Sequence, residues 1–96
     1  MHILSLDEGT TSARAMVFDR ETRVLGMEAA PIECRYPQHG WVEQDAEQIW
    51  QAQLGAARGA LGRAGLAGRD MAALGITNQR ETTIVWDRRT GAPVAP

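Results

Sequence analysis

The strongest constraint on the fold is one amphipathic helix surrounded by short strand-like segments. After Asp45, apolar residues return at intervals of four and three, which places them on one stripe of a helix over residues 46–64. The stripe comprises Trp50, Leu54, Ala57, Leu61 and Ala64. Three glycines also lie in this segment, and each costs about 1 kcal/mol relative to alanine in a helix. We therefore expect the helix to need a sheet to pack against, which predicts the α/β class.

The two ends of this helix carry the residues that such ends prefer. Asp45 is a good N-cap residue, and Gln48 stands at the third helical position, so the two resemble a capping box. Gly65 follows the last apolar residue, where a glycine commonly ends a helix. The sequence thus predicts a helix with defined boundaries.

The residues before the helix predict three strands and a loop. Residues 2–6 are mostly apolar, and residues 13–19 alternate with a period of two, which places Ala13, Ala15 and Val17 on one face. These two strands form a hairpin with residues 9–12 at its tip. Residues 24–32 form a third strand, weakened by Gly26. Residues 33–44 form an ordered loop, from which we expect Trp41 to pack under the sheet.

The residues after the helix predict further strands. Residues 71–77 are a short apolar run with the length of a buried strand, and residues 82–86 form another strand. A turn at 87–91 leads to a last edge from residue 93. The predicted order is β-β-β-α-β followed by a β-hairpin, in one domain over residues 1–96. Because the chain stops at the start of a strand, we expect it to be a fragment.

Composition excludes several classes of function. The net charge is −2, which argues against an electrostatic nucleic-acid binder. All ten basic residues are arginine, so a Walker-type loop, which needs a lysine, is excluded. The lone Cys34 is expected to be a free thiol on a strand. No apolar run has the length of a membrane span, and the N-terminus does not resemble a signal peptide, so we expect a soluble cytoplasmic protein without membrane partners.

The first candidate site is the tip of the predicted hairpin. Gly9 allows positive φ and close approach of a ligand, and the hydroxyls and N–H groups of Thr10, Thr11 and Ser12 form a set of donors suited to an anion. Asp7 could hold Mg²⁺ directly or through water, and Arg14 could balance phosphate charge. The alternative is a hairpin turn built from ordinary turn residues.

The second candidate site is the polar run after the fourth predicted strand. Arg80 supplies only donors and an ionised Glu81 only acceptors. Together they could bind vicinal hydroxyls, since each hydroxyl both donates and accepts a hydrogen bond. The alternative is an ordinary surface pair in a loop.

Three stretches, residues 6–15, 36–45 and 75–86, resemble the FGGY carbohydrate kinases, and within that family the glycerol kinases. The resemblance implies the actin-like, ribonuclease-H-like ATPase fold in two domains, of which this chain is the first part of the first. It implies that Thr10, Thr11, Ser12 and Arg14 contact ATP phosphates and that Asp7 lies near Mg²⁺. It also implies that Arg80 and Glu81 bind glycerol and that the full-length parent is a homo-oligomer, a dimer or a tetramer.

Two departures from the family pattern bear on function. Glu8 stands where the glycerol kinases often have Gln, and a carboxylate beside phosphates is unfavourable unless it points away or helps bind the metal. The family's catalytic aspartate would lie beyond residue 96, so no catalytic base is assigned here and the chain alone is expected to be inactive. Two alternatives remain: another FGGY kinase acting on a sugar, or a non-catalytic interaction module.

Overall fold

A four-stranded mixed sheet carries one long helix on one of its faces. The computed structural model describes residues 1–79 and 82–94. The strands are β1 (Ile3–Glu8), β2 (Ser12–Phe18), β3 (Val24–Pro31) and β4 (Ala73–Thr77), and the helix α1 is Ala46–Ala64. The order across the sheet is β3-β2-β1-β4; neighbours in the β1–β2–β3 meander are antiparallel, and β4 is parallel to β1. The predicted α/β class and the β-β-β-α-β order are confirmed.

The period-two pattern of β2 fixes which face of the sheet meets the helix. Ala13, Ala15 and Val17 are at most 1% exposed, as predicted from their alternation. The register places Leu6 opposite Ala15 and Leu4 opposite Val17. These side chains therefore share the helix face, whereas Arg14 and its cross-strand partner Asp7 lie on the opposite, open face.

Small residues let α1 lie unusually close to β3. A Cβ atom added to Gly26 would stand 2.2 Å from the carbonyl oxygen of Ala60, and Ala56 and Ala60 are completely buried. Beside this contact, the Arg63 Nε donates to a Glu28 carboxylate oxygen at 3.0 Å. Gly26, predicted to weaken its strand, is therefore needed for the contact between the strand and the helix.

The buried stripe of α1 is rotated by about one residue from the predicted one. Ile49, Gln53, Ala56 and Ala60 are buried, whereas the Trp50 side chain is about half exposed. The predicted Leu54, Ala57, Leu61 and Ala64 are only half-buried and flank this stripe. The predicted stripe is offset because α1 meets β3 where Ala60 faces Gly26, and hydrophobicity alone does not identify that face.

The helix ends agree with the sequence, apart from one half of the capping box. The Asp45 side chain accepts the Glu47 N–H at 2.9 Å, and Gly65 ends the helix with a left-handed φ of 69°. Gln48 does not complete the box: its amide nitrogen reaches Glu33 at 3.5 Å, and its buried oxygen has no partner among the described residues.

The fourth strand forms where predicted, but it is not buried. β4 occupies the edge of the sheet beside β1, and all five of its residues are exposed. Leu74 and Ile76 share the sheet face of Leu4 and Leu6, yet α1 lies over β2 and β3 and leaves that end of the face uncovered. Apolar character predicted the strand correctly but not its environment.

The last described segment forms a turn rather than a regular hairpin. The predicted turn at 87–91 is present, closed by the Gly91 N–H donating to the Asp87 carbonyl at 2.8 Å. The strand predicted at 82–86 is confirmed only at its end: no regular strand forms over these residues, but Trp86 makes an antiparallel bridge to Pro93. On either side of this bridge, the Asp87 N–H donates to the Ala92 carbonyl and the Val94 N–H donates to the Val85 carbonyl, both at 2.8 Å.

The loop before α1 is ordered by a backbone bridge between Arg35 and Glu43. Trp41 at its tip is 54% exposed and does not pack under the sheet as predicted. Cys34 is half-buried and follows β3 instead of lying on a strand. The turn at 37–40 carries Trp41 away from the sheet. Among the described residues, no helix combines the length and apolar character that crossing a membrane requires.

Candidate phosphate-binding site

The predicted phosphate loop is the short connection between β1 and β2. Its ends are joined by the Gly9 N–H, which donates to the Ser12 carbonyl at 2.9 Å. Thr10 and Thr11 are exposed and Ser12 is half-buried. The sequence suggested a positive φ at Gly9, but the φ of Gly9 is not positive. Space favours glycine here instead, because a Cβ would lie 3.1 Å from the Ser12 carbonyl oxygen, which is a tight contact.

The three carbonyl groups of this loop are all held by distant parts of the chain. The Gly9 carbonyl accepts from Gln79 Nε2 at 3.0 Å, and the Thr10 carbonyl accepts from Gln44 Nε2 at 2.6 Å. The Thr11 carbonyl accepts the Ile32 N–H at 2.9 Å. Among hydrogen bonds between described residues, none uses the N–H of Thr10 or Thr11. As far as residues 1–79 and 82–94 are concerned, those two N–H groups are available to a ligand.

Beside the loop, the open face of the sheet forms a cleft of about 480 Å³. Asp7 lines this cleft and is paired in register with Arg14 on one side and Thr77 on the other. Ser5, Met16 and Gly75 line the cleft further along the strands. Asp7 and Arg14 are both exposed. The cleft therefore presents a carboxylate and a guanidinium directly below the loop.

Glu8, the second carboxylate of β1, lies apart from the charged groups of the cleft. Glu8 pairs in register with Ala13, which is fully buried against α1. Glu8 thus lies on the helix face, away from Asp7, and its half-buried position raises the pKa of its carboxyl through desolvation. Of the two arrangements that the sequence left open for Glu8, strand alternation favours the one in which its side chain points away from the cleft.

The metal prediction concerns Asp7 alone. Within the described residues, no cluster of three or more His, Cys, Asp or Glu side chains could hold a metal ion. A single exposed carboxylate is nevertheless compatible with Mg²⁺, which is usually bound through one or two carboxylates together with water and substrate phosphates.

The predicted polyol pair, Arg80 and Glu81, lies outside the described residues. The residues on either side are described: Gln79 reaches the phosphate loop, and the Thr82 hydroxyl donates to the Gln79 side-chain oxygen. The segment with the predicted glycerol-binding residues is therefore connected, through the hydrogen bonds of Gln79, to the loop with the predicted phosphate ligands.

Sequence reasoning did not assign Gln44 or Gln79 to the site. Both lie in stretches singled out for other reasons, but their partners are 34 and 70 residues away. No local pattern reports such contacts. The same holds for Ser5 and Met16, which line the cleft only because β1 and β2 pair in this register.

Relatives match nearly the whole chain in sequence. The model of the FGGY family of carbohydrate kinases, N-terminal domain, matches residues 2–96. A glycerol kinase from Bordetella pertussis is 59% identical over 93 residues, which cover 97% of this chain and 18% of that protein. The chain thus spans less than a fifth of the curated relatives it matches.

Solved structures of kinases share the fold. A xylulose kinase from Rhodospirillum rubrum superposes with a TM-score of 0.87 at 24% identity, over the whole of this chain and 20% of that one. The Plasmodium falciparum glycerol kinase with ADP superposes with a TM-score of 0.81 at 30% identity, over 97% of this chain and 19% of that one. The predicted actin-like fold class is confirmed, and the chain belongs to the FGGY family of carbohydrate kinases.

Proposed function

We propose that the full-length parent of this chain transfers the γ-phosphoryl group of ATP to glycerol, giving ADP and sn-glycerol 3-phosphate. In this proposal residues 1–96 are the first part of its N-terminal domain and form one wall of the active-site cleft. The observation that carries the proposal is the loop with available N–H groups above a cleft lined by Asp7 and Arg14. The likeness to glycerol kinases supports the choice of acceptor.

The residues of the loop would act on the phosphates of ATP. Phosphoryl transfer depends mainly on positioning and on stabilising charge. The N–H and hydroxyl groups of Thr10, Thr11 and Ser12 would donate to phosphate oxygens, and Arg14 would neutralise part of their charge. Asp7 would hold Mg²⁺, directly or through water, and the bound metal would supply further charge neutralisation.

Arg80 and Glu81 would bind the hydroxyls of glycerol. Their place in the chain supports this role, because β4 ends in the cleft at Thr77 and Gln79 already contacts the loop. A site whose donors and acceptors match hydroxyls rejects acceptors that lack them, since its own polar groups would then be left unpaired. The aspartate that accepts the proton from glycerol would come from the parent beyond residue 96.

The proposal is tested by ATP-dependent phosphorylation with the full-length parent across glycerol, xylulose, gluconate and water. We expect a strong preference for glycerol. A preference for a sugar or a sugar acid would retain the fold and the phosphate loop but overturn the role of Arg80 and Glu81. Xylulose is a necessary competitor because a xylulose kinase has the same fold over this whole chain. Absence of transfer to every acceptor would favour a non-catalytic module.

The role of Arg80 is tested separately. Arg80→Ala in the full-length parent should raise the KM for glycerol by about tenfold or more, because a charge-assisted hydrogen bond to a hydroxyl is lost. The KM for ATP should change little. Arg88→Ala, at an exposed arginine of the turn at 87–91, serves as the matched control. Equal increases in both KM values would contradict the assignment.

The remaining partners follow from the same proposal. The full-length parent would use ATP and Mg²⁺ from the cytoplasm and would assemble as a homo-oligomer, a dimer or a tetramer. Neither a nucleic acid nor a membrane is expected as a partner.

A further inference from the structure

The starting observation is that three consecutive carbonyls of the loop are held from outside the loop. Gln79 Nε2 holds the Gly9 carbonyl, Gln44 Nε2 holds the Thr10 carbonyl, and the Ile32 N–H holds the Thr11 carbonyl. These donors come from the segment after β4, the loop before α1 and the end of β3. Three separate segments thus converge on three consecutive peptide groups.

Because each peptide unit is planar, fixing the carbonyl of one residue also fixes the direction of the next residue's N–H group. The carbonyl of one residue and the N–H of the next belong to one planar trans peptide and point in opposite directions. Holding the Gly9, Thr10 and Thr11 carbonyls therefore turns the N–H groups of Thr10, Thr11 and Ser12 away from the supporting residues. These are the same three residues to which phosphate contacts are proposed.

Both glutamines are themselves held in place. Gln44 directly precedes the N-cap of α1 and follows Glu43, which is bridged to Arg35. Its amide also lies 3.2 Å from the Cys34 sulfur. The Gln79 side chain is fixed at both ends, since its nitrogen donates to Gly9 and its oxygen accepts from the Thr82 hydroxyl. A primary amide nitrogen only donates, so each glutamine is suited to hold a carbonyl.

We propose that Gln44 and Gln79 are positioning residues that aim the N–H groups of the phosphate loop, and that Gln79 links this loop to the acceptor-binding segment. The proposal rests on the proposed function for the identity of the ligand. Gln79 stands immediately before Arg80, so a shift of the acceptor segment would reach the Gly9 carbonyl through one side chain. Gln44 supports the same loop with no connection to the acceptor segment.

The first test measures nucleotide binding to the full-length parent without any acceptor. Gln44→Met and Gln79→Met keep the size of the side chain but remove the donor. Each should weaken binding of a non-hydrolysable ATP analogue with Mg²⁺ by about tenfold and leave adenosine binding unchanged, with an unaltered thermal midpoint. Gln51→Met, at an exposed glutamine of α1, is the matched control and should bind both ligands like the wild type.

Two outcomes would overturn the positioning role. One is unchanged affinity for the ATP analogue in both variants. The other is an equal loss of adenosine and ATP-analogue binding, which would indicate general damage to the fold. Since this titration contains no acceptor, it gives a result even when the parent prefers an acceptor other than glycerol, so failure of the proposed function is recognised separately.

The second test addresses the link to the acceptor segment. In steady-state kinetics with the parent's preferred acceptor, Gln79→Met should raise the KM for that acceptor by about three- to tenfold in addition to the KM for ATP. Gln44→Met should raise only the KM for ATP. Equal effects of the two variants on the acceptor KM would overturn the special role of Gln79.

Discussion

The two halves of the sheet carry similar apolar strands but have opposite environments. Val17 on β2 and Ile76 on β4 lie on the same face of the sheet, yet Val17 is completely buried and Ile76 is 69% exposed. The difference is the helix, which covers β2 and β3 and stops short of β4. The close packing lies between β2, β3 and α1, whereas the cleft lies on the opposite face and is lined by residues of β1, β2 and β4.

Stability and ligand binding therefore depend on different parts of the molecule. The close helix–sheet packing involves Gly26, Ala56 and Ala60, where little can change. The proposed ligand groups, in contrast, are exposed and lie on the other face or at the tip of the hairpin. We therefore expect substitutions at the helix–sheet contact to change the free energy of unfolding, and substitutions on the open face or in the loop to change binding.

The largest effect is expected at Gly26. In Gly26→Ala the new Cβ would stand 2.2 Å from the Ala60 carbonyl oxygen, and neither backbone can yield without separating helix and sheet. The free energy of unfolding of the 96-residue chain in urea should fall by about 3 kcal/mol or more. Gly75→Ala, whose Cβ would meet no atom within 4 Å, should change it by less than about 0.5 kcal/mol. Equal losses of unfolding free energy in Gly26→Ala and Gly75→Ala would contradict the close contact at Gly26.

A smaller effect is expected for the pair of residues that defines the two halves. Val17→Ala should lower the free energy of unfolding by about 2 kcal/mol, because two buried methyl groups are lost. Ile76→Ala should cost little in the 96-residue chain. Ile76→Ala should also be measured in the full-length parent, where a larger loss of unfolding free energy would show that the rest of the parent covers β4. A loss of unfolding free energy for Ile76→Ala as large as that for Val17→Ala, in the 96-residue chain, would contradict the exposed position of Ile76.

The smallest effect is expected at Glu8 and depends on pH. Because burial raises the pKa of this carboxyl above 4.5, the folded state binds its proton more tightly than the unfolded state. Stability therefore falls as pH rises from about that value through the raised pKa. Glu8→Gln should raise the thermal midpoint at pH 7 by about 1 °C and lose this advantage at pH 4. Glu21→Gln is the control; a gain independent of pH would contradict desolvation as the cause.

The sequence predicted well what depends on neighbouring residues. The alternation of Ala13, Ala15 and Val17 identified a strand and its buried face, and Asp45 and Gly65 marked the ends of the helix. The turn at the tip of the β1–β2 hairpin was also predicted correctly, because turn chemistry is local.

The features that were missed depend on contacts between distant segments. The buried stripe of α1 is set by how closely Ala60 approaches Gly26, which no periodicity reveals. The burial of β4 depends on where α1 lies across the sheet. Gln44 and Gln79 reach the loop only because β4 is parallel to β1 and the loop before α1 folds back beside Thr10. Local patterns define elements, whereas the site is defined by their arrangement.

The most direct test of the account is an ATP titration of the full-length parent with Mg²⁺, comparing Arg14→Met with Arg23→Met. Arg14 lines the cleft on the open face, whereas Arg23 pairs with Asp19 in the β2–β3 turn. We predict that Arg14→Met weakens ATP binding by about tenfold or more, since a charge-assisted contact to phosphate is lost, while Arg23→Met binds ATP like the wild type. Unchanged ATP affinity in Arg14→Met would contradict the placement of the phosphate site on this face.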